Sequence, residues 1–270
     1  MKAGVRPMST MLRRFAIFTA LALLALVVTS TSHASGSAAR SSRPQAGAPE
    51  SQLLEAANRD RASAGLHPLQ WDMSLAAAAR QHAQRMAQAN TLSHQFTGEP
   101  PVQQRATQAG ARFSMIAENV AQGPSAAHLH QQWMHSPPHR ANLLDPELNA
   151  VGIAVVQSGG TLFAVEDFSV AVPTLNLDAQ ELQVAAQLSA HGLRMVNAIA
   201  DARKTCEMDR GWFGQRPASV VRYETSDLSR LPDDVAQKLQ SGKFHTAAVG
   251  ACEVGSSAGF TRFRIAILLF

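Results

Sequence analysis

The sequence predicts an α+β protein: helices packed on a sheet, followed by a second, smaller α+β unit. Three observations carry this. Apolar residues recur at spacings of three and four between Ser51 and His135. From Ala150 the period changes, and two β-rich apolar runs flank Ser158-Gly159-Gly160-Thr161, a hairpin signal. Beyond Pro173 the chain returns to a mixture of helical and strand-like stretches that holds its only two cysteines.

Taken in order, Ser51 to Ala64 reads as a helix with Leu53, Leu54 and Ala57 inward and Arg59, Asp60 and Arg61 outward. Gly65 stops it, and Pro68 follows. Asp72 caps a second helix, Met73 to Asn90, with Leu75, Ala78, Ala79, His82, Met86 and Ala89 on one face. On that face His82 reads as a packed core histidine. A short helix runs from Val102 to Ala109, stopped by Gly110. Ser125 caps a helix from Ala126 to His135, with Leu129 and Trp133 inward, and Pro137-Pro138 ends it. The hairpin strands are Ala150 to Val156 and Leu162 to Phe168. After a joint at Pro173 to Leu177, Asp178 to Arg203 is helical but weakened by Gly192. Ser219 to Tyr223, Thr246 to Cys252 and Phe263 to Phe270 read as strands, and Leu231 to Gln240 as a helix. No repeat is visible in either part.

The ends and the charge bound the function. Lys2, Arg6, Arg13 and Arg14 precede an uncharged run from Phe15 to Val28, and Ser32-His33-Ala34 offers small residues at a cleavage site. Residues 1–34 are therefore expected to be a signal peptide, with no stable transmembrane segment left after cleavage. Residues 35–48, rich in Ser, Ala, Gly and Arg, read as a flexible linker. The whole chain has 24 Lys+Arg against 20 Asp+Glu, and without 1–34 the balance is even. No nucleic-acid partner is expected, since that needs a basic face, nor is a polybasic membrane patch present. The expected location is secreted, periplasmic or extracellular. There Cys206 and Cys252 most simply form one disulfide.

Three strings stand out: Ser93-His94; Ala117-Glu118-Asn119-Val120-Ala121; and Trp133 to Leu144, which reads W-M-H-S-P-P-H-R-A-N-L-L and is followed by Val151-Gly152-Ile153-Ala154. In order and spacing they resemble the CAP superfamily (SCP/TAPS domain) in its short, cysteine-free bacterial form. The resemblance covers Leu53 to Phe168, with a domain expected over 49–170, and leaves the unit 178–270 unassigned. One departure is Ala117, where the family more often has glycine. The resemblance implies an α-β-α sandwich with a cleft of two His and two Glu side chains that sometimes holds a divalent metal. By motif, His94 is the first histidine, Glu118 the first glutamate and His139 the second histidine. Ser136 stands where longer members carry the second glutamate.

Two imidazoles and a carboxylate are enough for a zinc site with an open position, or for a general acid and base. His94, Glu118 and His139 are thus the metal candidates, for Zn or another divalent ion, and Glu118 and His139 the catalytic ones. Plainer roles stand beside these. His94 near a helix end caps carbonyls, Glu118 staples an irregular loop, and His139-Arg140 braces a turn. Ser136 with His139 lacks a nucleophile elbow, and His128 and His135 read as a solvated face. Three functions follow. One is a secreted binding module for a lipid, protein or cell-envelope ligand. The second is a metal-assisted or Glu/His hydrolase of peptides or wall polymers. The third is a scaffold with a vestigial cleft. Whether the protein is an enzyme is left open by the sequence.

Overall fold

A computed structural model describes residues 47–254 and 259–270; the expected signal peptide and nearly all of the linker lie outside them. Among the described residues no helix is long and apolar enough to cross a membrane.

The first unit contains helices α1 (Ala48–Ser63), α2 (Met73–Ala89), α3 (Val102–Gln108), α4 (Ala126–His135) and α5 (Pro137–Leu143). Its strands are β1 (Gln70–Trp71), β2 (Phe113–Gly123), β3 (Ala150–Ser158) and β4 (Thr161–Ala171). The sheet order is β1-β3-β4-β2, with β1 parallel to β3 and the other pairs antiparallel.

Alternation along the strands feeds two cores. On one face Val151, Ile153 and Phe168 pack against Leu53 of α1 and Leu129 and Trp133 of α4. On the other, Ala154, Phe163 and Val165 meet Ala79, Ala83 and Met86 of α2. This is the expected sandwich of helices on both sides of a sheet. The alanines of α2 let it lie close to the strands. A Cβ on Gly152 would fall 2.0 Å from the amide nitrogen of Ala76, so only glycine permits that approach. Asp72 Oδ1 caps α2 by accepting from the N–H groups of Ser74 and Leu75 at 2.8 and 2.9 Å. His82 is a core histidine, held between Glu99 and the carbonyl of Ser93.

Three expectations for the first unit need correction. Arg61 points inward, not outward: it is fully buried, and its guanidinium donates to the carbonyls of His67, Leu143, Asp145 and Leu148 at 2.9–3.0 Å. Fork geometry explains this, because one guanidinium can satisfy several loop carbonyls that a core would otherwise strand. Glu118 does not sit in an irregular loop; it is central in the eleven-residue strand β2. Pro137-Pro138 ends α4 but also opens α5, since proline suits the first turn of a helix.

The second unit comprises α6 (Leu177–Ala190), β5 (Arg194–Met195), α7 (Ile199–Glu207), β6 (Ser219–Thr225), α8 (Asp233–Leu239), β7 (Thr246–Cys252) and β8 (Phe263–Leu269). The long helix expected over 178–203 is broken in two, because Gly192 takes φ +86° and the chain turns into β5. Its sheet order is β5-β7-β8-β6, and its core gathers Val184, Leu188, Val249, Ile265 and Ile267. The expected disulfide joins Cys206 of α7 to Cys252 of β7, with Cα atoms 5.8 Å apart.

Candidate functional site

The site forms at β2, an edge strand whose two faces are reached from opposite helical layers. Glu118 projects towards the α2 side. The segment after α2 returns His94 to it, and His94 Nδ1 donates to Glu118 Oε1 at 2.9 Å. Arg105 of α3 donates through Nη2 to the other carboxylate oxygen, and through Nη1 to the carbonyls of His94 and Pro100 at 3.1 and 3.2 Å. Arg105 therefore ties the His94 segment to the strand. Burial is graded across the set: the Glu118 and Arg105 side chains are each 4% exposed, whereas that of His94 is 60% exposed. A fixed carboxylate thus presents an accessible imidazole whose Nε2 is turned away from the anchoring bond.

His139 arrives from the other layer. Asn119, the neighbour of Glu118 on β2, donates to the carbonyl of His139 at 3.2 Å and accepts from Asn142 at 2.9 Å. These bonds fasten α5 to the strand edge. The structure brings His94 and Glu118 into direct contact. The His139 ring makes no hydrogen bond to either, yet lies close enough to sense the charge of His94. The imidazoles are pushed in opposite directions. Hydrogen bonding to Glu118 raises the His94 pKa above its usual value, while burial, aided by the His94 charge, lowers that of His139.

Two further acids lie on the neighbouring strand β4. Asp167 of β4 pairs with Glu118 across the ladder and is wholly buried; burial first, then the Glu118 charge, raises its pKa well above the carboxylate range. Glu166 points to the opposite face, where burial pushes its pKa up to about 8 and Asn119 offsets this only partly. Sequence reasoning missed Arg105, one polar residue among several in the short helix α3. It also missed the acid pair, although Glu166-Asp167 inside an apolar β-rich run was a legible signal.

Ser136 is the N-cap residue of α5 and makes no side-chain cap bond. The rings of His128 and His135 hydrogen-bond within their own helix, to Gln132 and to the carbonyl of Gln131. Among the described residues no group of three or more His, Cys, Asp and Glu side chains is arranged to hold a metal ion. The reason at the cleft is visible: both oxygens of Glu118 are already engaged.

The model of the cysteine-rich secretory protein family, CAP, matches residues 54–171. Residues 54–171 are a CAP domain. Despite the family's description, this domain holds no cysteine, since both lie in the second unit. The uncharacterized protein YkwD of Bacillus subtilis (strain 168) is 33% identical over 113 residues, which is 41% of this chain and 43% of that protein. An extracellular protein containing an SCP domain from Bacillus anthracis is 26% identical, over 44% of this chain and 39% of that one, with a TM-score of 0.41. An outer surface protein of Borrelia burgdorferi is 19% identical over 46% of this chain and 92% of that one, with a TM-score of 0.43. The chain thus spans less than half the length of both Bacillus relatives. The CAP domain supplies every residue of the cleft, and the family match ends before the second unit begins.

Proposed function

We propose that the protein is an exported binding module whose CAP domain engages a lipid, protein or cell-envelope ligand at the β2 edge, through His94 and His139 with Glu118 fixed behind them. The observation that carries this reading is an exposed imidazole held on a buried carboxylate that is itself locked by Arg105. A preorganised polar group at an accessible edge gives orientation and specificity to a ligand at little ordering cost. Export is supported by the composition of residues 1–34, by the disulfide and by the secretory description of the family.

The donor set does not fit a zinc site with three protein ligands, because Glu118 is committed to His94 and Arg105. Here Glu118 instead orients the His94 ring, the part a carboxylate plays behind a ligating histidine.

The test is retention of ligand by the chain lacking residues 1–34, in lipid-overlay and envelope-extract pull-downs, for wild type and His94→Ala. Retention that falls in the variant supports the reading; equal retention, or none above a scrambled control, removes it. Zinc calorimetry on the same pair separates ion-dependent from direct recognition.

One observation favours acid–base chemistry as a second reading: the opposite shifts of His94 and His139 resemble the separation of a proton donor from an acceptor. Broad peptide and glycan assays on wild type, Glu118→Ala and His139→Ala decide it. Identical product profiles across all three would remove it.

A further inference from the structure

We infer that residues 177–269 are a second, shortened copy of the CAP fold, one that keeps the scaffold and has lost the cleft. The first support is topology. With the short helices α3 and α5 of the first unit set aside, both units run helix, short strand, helix, strand, helix, strand, strand. Both sheets place these strands in the order first, third, fourth, second. In both, the first strand is a two-residue parallel partner of the third, and the remaining pairs are antiparallel. Four strands can be ordered in many ways, so an identical order with identical directions is a specific coincidence.

The second support is a side-chain clamp that topology does not require. In the first unit, Glu50 of α1 accepts from Arg80 of α2 at 2.6 Å and from the N–H of Val155 in β3 at 3.1 Å. In the second, Glu181 of α6 accepts from Arg203 of α7 at 2.6 Å and from the N–H of Ala251 in β7 at 2.9 Å. Each clamp solves the same problem. The third strand outruns its two-residue parallel neighbour, and a buried carboxylate satisfies an N–H on the edge left bare.

A third support is a glycine in the same third strand. A Cβ on Gly152 would meet the α2 backbone at 2.0 Å, and one on Gly250 would meet the α7 backbone at 2.1 Å. Counted from the parallel pairs at Val151 and Ala247 and from the clamped amides of Val155 and Ala251, Gly250 falls two residues further along its strand than Gly152, on the same face of the sheet. On the register set by the clamps, the row of Gly152, Asp167 and Glu118 in the first unit corresponds to Ala248, Leu268 and Val220 in the second. Arg222, two residues along β6 from Val220, donates to the carbonyl of Thr205 within α7 and to that of Gly211 beyond it, at 2.9 and 2.5 Å. The acid row of the cleft has become a valine beside a leucine. The second unit thus retains the frame of the domain without its imidazole and carboxylate groups.

Hydrogen exchange on the full chain tests this. Glu181→Gln is expected to speed exchange at Ala251 at least tenfold and leave Val155 unchanged, while Glu50→Gln does the reverse. Arg203→Gln, which leaves the acceptor of Ala251 in place, is expected to have the smaller effect at that amide. An experimental structure should superpose the two units strand for strand. Unchanged protection of Ala251 in Glu181→Gln, or a strand order other than β5-β7-β8-β6, overturns the inference.

Discussion

Glu166→Gln is expected to make the protein more stable as pH rises. Glu166 sits on the inner face of β4, fully buried, with Oε2 3.4 Å from Asn119 Nδ2 and Oε1 without a partner. Burial pushes its pKa from 4.5 up to about 8, so the folded chain keeps a proton that the unfolded chain releases. With more protons bound in the folded state, stability must fall as pH rises from about 4.5 to about 8. At 1.36 kcal/mol for each unit of separation, the loss between pH 5 and pH 8 is about 3 kcal/mol. Glutamine has nearly the same shape, keeps a partner for Asn119 and does not titrate. Denaturant unfolding of wild type and variant at pH 5, 6, 7 and 8, followed by circular dichroism and fluorescence, measures the difference directly. The gap should widen in favour of glutamine by about 3 kcal/mol across that range. Parallel curves, with the gap constant to within about 1 kcal/mol, would show that Glu166 does not hold its proton and would refute the reasoning.

Three further outcomes follow from the structure. Arg61→Met strands four loop carbonyls and should cost about 3–5 kcal/mol in urea unfolding, with Arg61→Lys recovering only part because an ammonium lacks the fork. Reducing Cys206–Cys252, which closes a separation of 46 residues, should cost about 4 kcal/mol, read as faster amide exchange in β7 and β8 with little change in β3 and β4. An NMR titration should place the His94 midpoint above its ordinary 6.5 and that of His139 below it, with His94 falling back in Glu118→Gln. The His94–Glu118 contact therefore contributes to stability fully below about pH 6.5 and loses that contribution as pH rises through the raised value.

The parts of the fold legible in the sequence were those with a strong local pattern. The 3.6-residue period of α2, the hairpin glycines and the apolar runs of β3 and β4 each depend on near neighbours in sequence. The motif strings likewise placed His94, Glu118 and His139 in one domain. Long-range satisfaction of polar groups was not legible. Arg61 resembles its charged neighbours Arg59 and Asp60 until the carbonyls of Leu143 and Leu148, more than eighty residues away, are brought to it. Arg105 acquires meaning only when α3 folds back on β2. Strand β2 itself was hidden because Phe113 to Gly123 mixes Ser, Glu, Asn and Gln among its apolar residues. The polar residues on it serve the cleft, so function had diluted the alternation by which a strand is recognised.

The second unit offers an internal control on why those polar residues are there. Buried acids with too few partners oppose folding, and an apolar replacement is usually neutral or better. Aligned on the clamped amides of Val155 and Ala251, the ladder gives Ile267 the position of Glu166 and Leu268 that of Asp167. Both are fully buried, and the sheet closes around them with the same strand order. The architecture therefore does not require carboxyl groups at these two places. In the first unit they flank Glu118 and Asn119, the residues that hold His94 and the His139 segment. A chain that can build this sheet with isoleucine and leucine, yet carries two costly acids opposite Glu118 and Asn119, is maintaining an electrostatic setting for the cleft at the expense of stability.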